Sequence, residues 1–262
     1  MAAALRRLAI MPAWNEAEVI ADTIAELRAS VRDVDLLVVD DGSNDETAAV
    51  ARAAGARVMS LPFNLGVGGA LRAGFLYAWE QGYEQAIQVD ADGQHDPSDI
   101  EAVFAGLEHA DIAIGARFAG VGDYQVRGPR AWAMKLLSAA FTRAAGVQLT
   151  DVTSGFRAAD RRAILQYTEH YPAEYLGDTV DSLLTAIRGG LTVTQVPVAM
   201  RPRQGGDPSH SPWKAAVYLV RSAFALLIAM TRRPVPARAL PVHDHAWDAA
   251  RAGRRPAPEV GP

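Results

Sequence analysis

The chain contains no cysteine, so neither a disulfide framework nor thiolate chemistry is available to it, and the expected setting is a reducing one, the cytoplasm. It lacks an excess of positive charge: 26 Lys and Arg stand against 30 Asp and Glu, a formal net charge of -4. That balance gives no electrostatic footprint for nucleic acid, and none is expected as a partner. Long apolar runs are missing as well. The longest stretch, 215–230, is short of the ~20 residues that span a bilayer and is interrupted by Arg221. It reads as a core helix or as one lying in a membrane interface, with "TRRP" toward acidic headgroups. The opening "MAAALRRLAIMPAWNE" breaks at Pro12 and turns polar, unlike a secretory signal. Several catalytic signatures are absent too. No GxSxG elbow, no GxxxxGK[ST] loop and no zinc-site spacing around His95 or His210 is found.

What the chain does have is alternation. Strands are expected over 8–11, 36–39, 58–61 and 86–89, with helices over 16–31, 47–54 and 70–81 between them. Further strands are expected over 112–114 and 191–200, and helices over 131–145 and 214–231. "DVTSGFRAADRRAIL" reads as a loop followed by a helix. Such βαβ alternation predicts a mostly parallel sheet with helices on both faces. One domain over 1–231 is expected, followed by a flexible or disordered tail over 232–262, where Pro, Ala, Arg and Gly dominate.

In an open sheet of this kind ligands bind outside the carboxyl ends of the strands. Four polar stretches fall at those ends: "PAWNE", "DDGSND", "NLGVGG" and "DADGQHD". The last holds Asp90 and Asp92, carboxylates that repel unless a cation lies between them. Hard oxygen donors at this spacing suit Mg²⁺ or Mn²⁺, which take one or two carboxylates and complete their shell with water and phosphate oxygens. Taken alone the pair is equally a turn, since Asp-Gly is a common turn dipeptide. Asp40 and Asp41 are suited to accept from a ribose or base. Ser43, Asn44 and Asp45 are better explained as caps of the following helix. Arg117, Arg127, Arg130, Arg157, Arg201 and Arg203 lie in or beside loops. Guanidinium groups there suit a diphosphate leaving group, although any single one is commonly a solvated surface charge. His95 and His210 are read as structural or solvated.

"PAWNEAEVI", "VVDDGSNDET", "NLGVGGALRAG", "VDADGQHDP", "GARF" and "DVTSGFRAADRRAI" come in the order, and at nearly the spacing, of family 2 glycosyltransferases with the GT-A fold. The set most resembles the branch that transfers mannose or glucose to dolichyl or polyprenyl phosphate, and it covers about 8–231. The resemblance implies inverting transfer from a nucleoside diphosphate sugar. Pro12, Ala13, Asn15 and Glu16 would then line the nucleoside pocket, with Asp40 and Asp41 on base or ribose. Asp90, Ala91 and Asp92 would face the diphosphate, and Asp90, Asp92 and Gln94 would hold the divalent cation. Arg117, Arg130 and Arg157 would neutralise phosphate charge, and Arg201, Ser209 and His210 would belong to a loop closing over the donor.

The acceptor divides the mechanism. A glycan hydroxyl needs a base, for which Asp178 in "GDTVD" is the candidate, or else Asp178 is a helix N-terminal residue favoured by the dipole. A lipid phosphate needs no base. A sugar nucleotidyltransferase would be expected to carry a glycine-rich, lysine-containing loop after its first strand, and "MPAWNEAE" has neither residue. A non-catalytic nucleotide-sugar binding module is a further alternative, against which the intact acidic cluster argues.

Overall fold

A computed structural model of the chain describes residues 5–117, 129–171, 178–199, 201 and 236–237; the side chains of 129–136 and 178 lie outside that description. Its strands are β1 (Arg7–Ala13), β2 (Val34–Asp40), β3 (Arg57–Ser60), β4 (Gln85–Gln88), β5 (Ile112–Ala116), β6 (Arg157–Asp160) and β7 (Val193–Pro197). The helices are α1 (Ile20–Ser30), α2 (Thr47–Ala53), α3 (Val67–Glu80), α4 (Ile100–Gly106), α5 (Pro129–Ala145), α6 (Arg161–His170) and α7 (Asp178–Arg188).

The strands form one sheet in the order β3-β2-β1-β4-β6-β5-β7. β6 is antiparallel to both β4 and β5, and the other pairings are parallel. β4 and β5 are buried along their whole length, as strands covered on both faces must be. Side-chain alternation along β1 divides the core in two. Leu8 and Ile10 join Leu37, Val39, Phe75 and Tyr167 on one face, whereas Ala9 and Met11 join Ile20, Ile24, Val38 and Phe104 on the other.

Two elements were not anticipated. α4 follows a single 3₁₀ turn at Pro97–Asp99, where the Asp96 side chain accepts from the Ser98 N–H. β6 is made of Arg-Ala-Ala-Asp, which has no strand-forming character of its own. It is a strand because it fills the gap between β4 and β5, pairing Ile87 with Ala158 and Ala113 with Ala158 from its two sides. The expected helix over 214–231 lies outside the described residues. No helix among the described residues is long and apolar enough to cross a membrane. Of the expected tail, the description reaches only 236–237, where the Ala237 N–H donates to the Gly189 carbonyl at 2.8 Å.

Two glycines of "NLGVGGALRAG", Gly69 and Gly74, serve packing. Gly74 sits where α3 crosses β1, and a methyl group there would collide with the Ile10 side chain. Gly74→Ala is therefore expected to destabilise the fold by about 1–3 kcal/mol despite alanine's better helix propensity. Urea denaturation should show it, and in combination with Ile10→Ala, which removes the Cγ2 that the new methyl meets, the loss should be smaller than the sum of the two single losses.

Candidate active site

β1 pairs with β2 on one side and β4 on the other, so the sheet's topological switch point lies between β1 and β4. The loops leaving these strands are locked together by side-chain bonds to backbone. Asn15 adopts a left-handed conformation at φ 55°; its N–H donates to Ser43 Oγ at 3.0 Å and its Oδ1 accepts from the Asn44 N–H at 2.9 Å. The Glu16 N–H donates to Thr47 Oγ1 at 2.8 Å. Pro12 and Ala13 end β1, with Pro12 half-buried and Ala13 buried.

The second loop turns sharply. Gly42 (φ 68°) packs so closely on the next loop that a Cβ would lie 2.7 Å from the Phe63 carbonyl carbon. Asp40 Oδ1 accepts from the Ser43 N–H at 3.2 Å, and Asp41 Oδ1 from the Leu65 N–H at 2.8 Å. Burial raises the Asp41 pKa above the ordinary carboxylate value, against the backbone N–H groups of Leu65 and Gly66 that lower it. The expected cap of α2 is not made by Ser43 or Asn44. Ser43 ties the second loop to the first, and it is Asp45 that accepts from the Thr47 N–H at 3.0 Å.

Asp90, Ala91 and Asp92 follow β4 and are fixed from several directions. The Asp90 N–H donates to His95 Nδ1 at 3.0 Å, and Gln88 Nε2 donates to Asp90 Oδ1 at 3.0 Å. Thr23 Oγ1 of α1 donates to the Ala91 carbonyl at 3.0 Å, and the Gln94 N–H donates to Asp92 Oδ1 at 3.0 Å. Asp92 is buried, whereas the Asp90 side chain is 36% exposed and faces outward. Gln94 is half-buried at the end of this turn.

Of the expected arginines, the side chains of Arg117, Arg157 and Arg201 are described, and each has protein partners. Arg117 donates in bidentate fashion to Asp151, at 2.6 and 2.8 Å, and also to Thr153 Oγ1 at 2.9 Å. Burial pushes the Asp151 pKa up, but Arg117 more than reverses this and leaves it below the ordinary range. Arg157 is buried, donating from Nη1 to the Thr179 carbonyl and from Nη2 to the Val152 carbonyl, each at 2.6 Å. It ties the loop before β6 to α7. Arg201 follows β7. Its guanidinium lies on Asp96 (3.0 Å from Nε) and on Glu26, and its N–H donates to the Gln94 carbonyl at 3.0 Å. The residue thus latches the turn after Asp92 to α1. Asp178 opens α7 and Arg130 lies in the first turn of α5, but their side chains are outside the described residues, as are Arg127, Arg203, Ser209 and His210.

Residues 8–168 match the glycosyl transferase family 2 domain. The chain belongs to that family. It is 33% identical, over 79% of its length and 88% of the relative's, to an undecaprenyl-phosphate mannosyltransferase of Micrococcus luteus. Against a polyprenol monophosphomannose synthase of Mycolicibacterium smegmatis it is 32% identical over 77% of this chain and 79% of that one. Glucosyl-3-phosphoglycerate synthase from Mycobacterium tuberculosis, solved with Mn²⁺, UDP and glucosyl-3-phosphoglycerate, superposes with a TM-score of 0.66 at 22% identity, covering 86% of this chain and 80% of that one. The fold is therefore GT-A, and the family assignment makes the chain a glycosyltransferase.

In this family 2 chain the contribution of the Arg117–Asp151 pair, at the end of β5, to stability can be measured directly. Removing the carboxylate charge leaves a mostly buried guanidinium without its counter-ion, so Asp151→Asn is expected to cost about 3 kcal/mol at pH 7. Because the folded-state pKa of Asp151 is depressed, its contribution is complete above the unfolded value and is lost as pH falls through the folded one. The stability gap between wild type and variant, measured by urea denaturation, should shrink below about pH 4.

Proposed function

We propose that this glycosyltransferase moves a sugar from a nucleoside diphosphate sugar to a polyprenyl phosphate, with inversion at the anomeric carbon. The observation that carries the reading is the Asp90/Asp92 turn at the carboxyl end of β4, beside the switch point, in a chain whose similar relatives are named for polyprenyl-phosphate acceptors. Among the described residues no group of three or more His, Cys, Asp or Glu could hold a metal ion. That does not conflict with Mg²⁺ or Mn²⁺, which need only one or two carboxylates when substrate phosphate and water supply the rest. Asp90 and Asp92 fit in donor chemistry, with Gln94 at the end of the same turn as a third oxygen donor. A cation held by Asp90 and Asp92 would supply positive charge against the diphosphate leaving group.

The protein's own part is orientation. The nucleoside is assigned to the edge formed by Pro12, Ala13, Asp40 and Asp41, where the cross-loop bonds of Asn15 and Asp41 fix the walls. A phosphate monoester arrives as an anion and attacks without losing a proton to the protein. Asp178 is then not required as a base. Such an acceptor sits in a bilayer, so peripheral contact with a membrane surface, at the cytoplasmic side, is part of the proposal.

The test is incubation of the purified protein with UDP- and GDP-sugars, Mn²⁺ or Mg²⁺, and either undecaprenyl phosphate in vesicles or soluble glycan acceptors. Sugar label extracted with the lipid is the expected result; label only on a glycan would overturn the acceptor assignment. Asp92→Asn should lower turnover by at least about 10²-fold with an unchanged circular dichroism spectrum. Asp178→Asn should stay near wild type with the lipid phosphate, because the 10²–10⁴-fold typical of a lost general base has nothing to act on.

A further inference from the structure

Asp90 is held by Gln88 and His95, two residues outside the expected donor-site set. Gln88 ends β4, and its buried amide meets a carboxylate, so it presents its nitrogen there, to Asp90 Oδ1 at 3.0 Å. The approach depends on Gly155. A Cβ at that position would lie 2.8 Å from Gln88 Nε2 and 3.7 Å from Asp90 Oδ2. His95 is buried and stacked on Phe156, with ring centroids 4.7 Å apart and planes inclined by 18°. Its Nδ1 accepts the Asp90 N–H at 3.0 Å, which puts the hydrogen of the neutral ring on Nε2, 3.5 Å from Asp90 Oδ2. Backbone and carboxylate of Asp90 are thereby both constrained, while the side chain stays open to solvent.

The chemistry of these contacts sets Asp90 apart from carboxylates of the surrounding scaffold. Asp151 and Asp96 are each held by a guanidinium, which neutralises them. Asp90 is held by an amide and a ring nitrogen, which fix direction and leave the negative charge in place. A carboxylate that must bind a cation needs that combination.

We propose that Gln88 and His95 are positioning residues that aim the Asp90 carboxylate at the divalent cation, with Gly155 providing the space for Gln88. The proposal rests on the reading of Asp90 and Asp92 as the cation site. Gln88→Met keeps side-chain length and removes the donor; His95→Phe keeps the stacked ring and removes the acceptor; His95→Asn restores an acceptor at the reach of Nδ1. The measurement is Mn²⁺ affinity by electron paramagnetic resonance of free Mn²⁺, with saturating UDP or GDP, alongside thermal melts and turnover against Mn²⁺ concentration.

Gln88→Met and His95→Phe are expected to weaken Mn²⁺ binding by about 10–100-fold, with turnover recovering as Mn²⁺ is raised. His95→Asn should restore most of the affinity. Unchanged Mn²⁺ affinity in folded variants would overturn the proposal, as would a loss of turnover that excess Mn²⁺ does not relieve, since that is the mark of a purely structural role. If His95→Phe does not fold, Gln88→Met decides the matter alone. If the unsubstituted protein binds no Mn²⁺ with either nucleotide, the donor-site reading falls and takes this proposal with it.

Discussion

The pairing of β4 with β1 is the constraint on which the site depends. β1 carries β2 on its other side, so strand order reverses between β1 and β4 and the carboxyl ends of these two strands lie together at the switch point. The register Ile10↔Gln88 puts the end of "PA" from β1 beside the start of the Asp90 turn. A polar loop on either strand alone would be an ordinary surface turn. Side by side they become two walls of a site, and the bonds from Asn15 to the second loop and from Asp41 to the third extend the wall across β2 and β3.

Charge in this chain divides by partner. The guanidinium groups that flank the site are engaged by protein groups: Arg117 by Asp151, Arg201 by Asp96 and Glu26, Arg157 by carbonyls. Each stiffens a segment that the catalytic loops stand on. The carboxylates nearest the crevice are instead held by neutral donors, Asp90 by Gln88 and Asp92 by the Gln94 N–H. The carboxylates of the scaffold and those at the β4 turn are thus held in electrostatically opposite ways.

The sequence by itself determined the alternation of strand and helix, because apolar periodicity is local and each period belongs to one element. It also placed Asp90 and Asp92 at the end of a buried strand, since a run such as "AIQV" followed by "DADG" can end only at the sheet's edge. Ordered motifs were enough to indicate the family, which the match over residues 8–168 then established. Tertiary structure alone decided the rest. β6 has no signal in "RAAD" and exists through its neighbours. The pairing of Arg117 with Asp151 and of Arg201 with Glu26 joins residues far apart along the chain, and a sequence does not say which charges meet. Gln88, Gly155 and His95 become one unit around Asp90 because folding stacks β4, the loop before β6 and the turn after β4 at one edge, and hydrogen-bond geometry is settled only there.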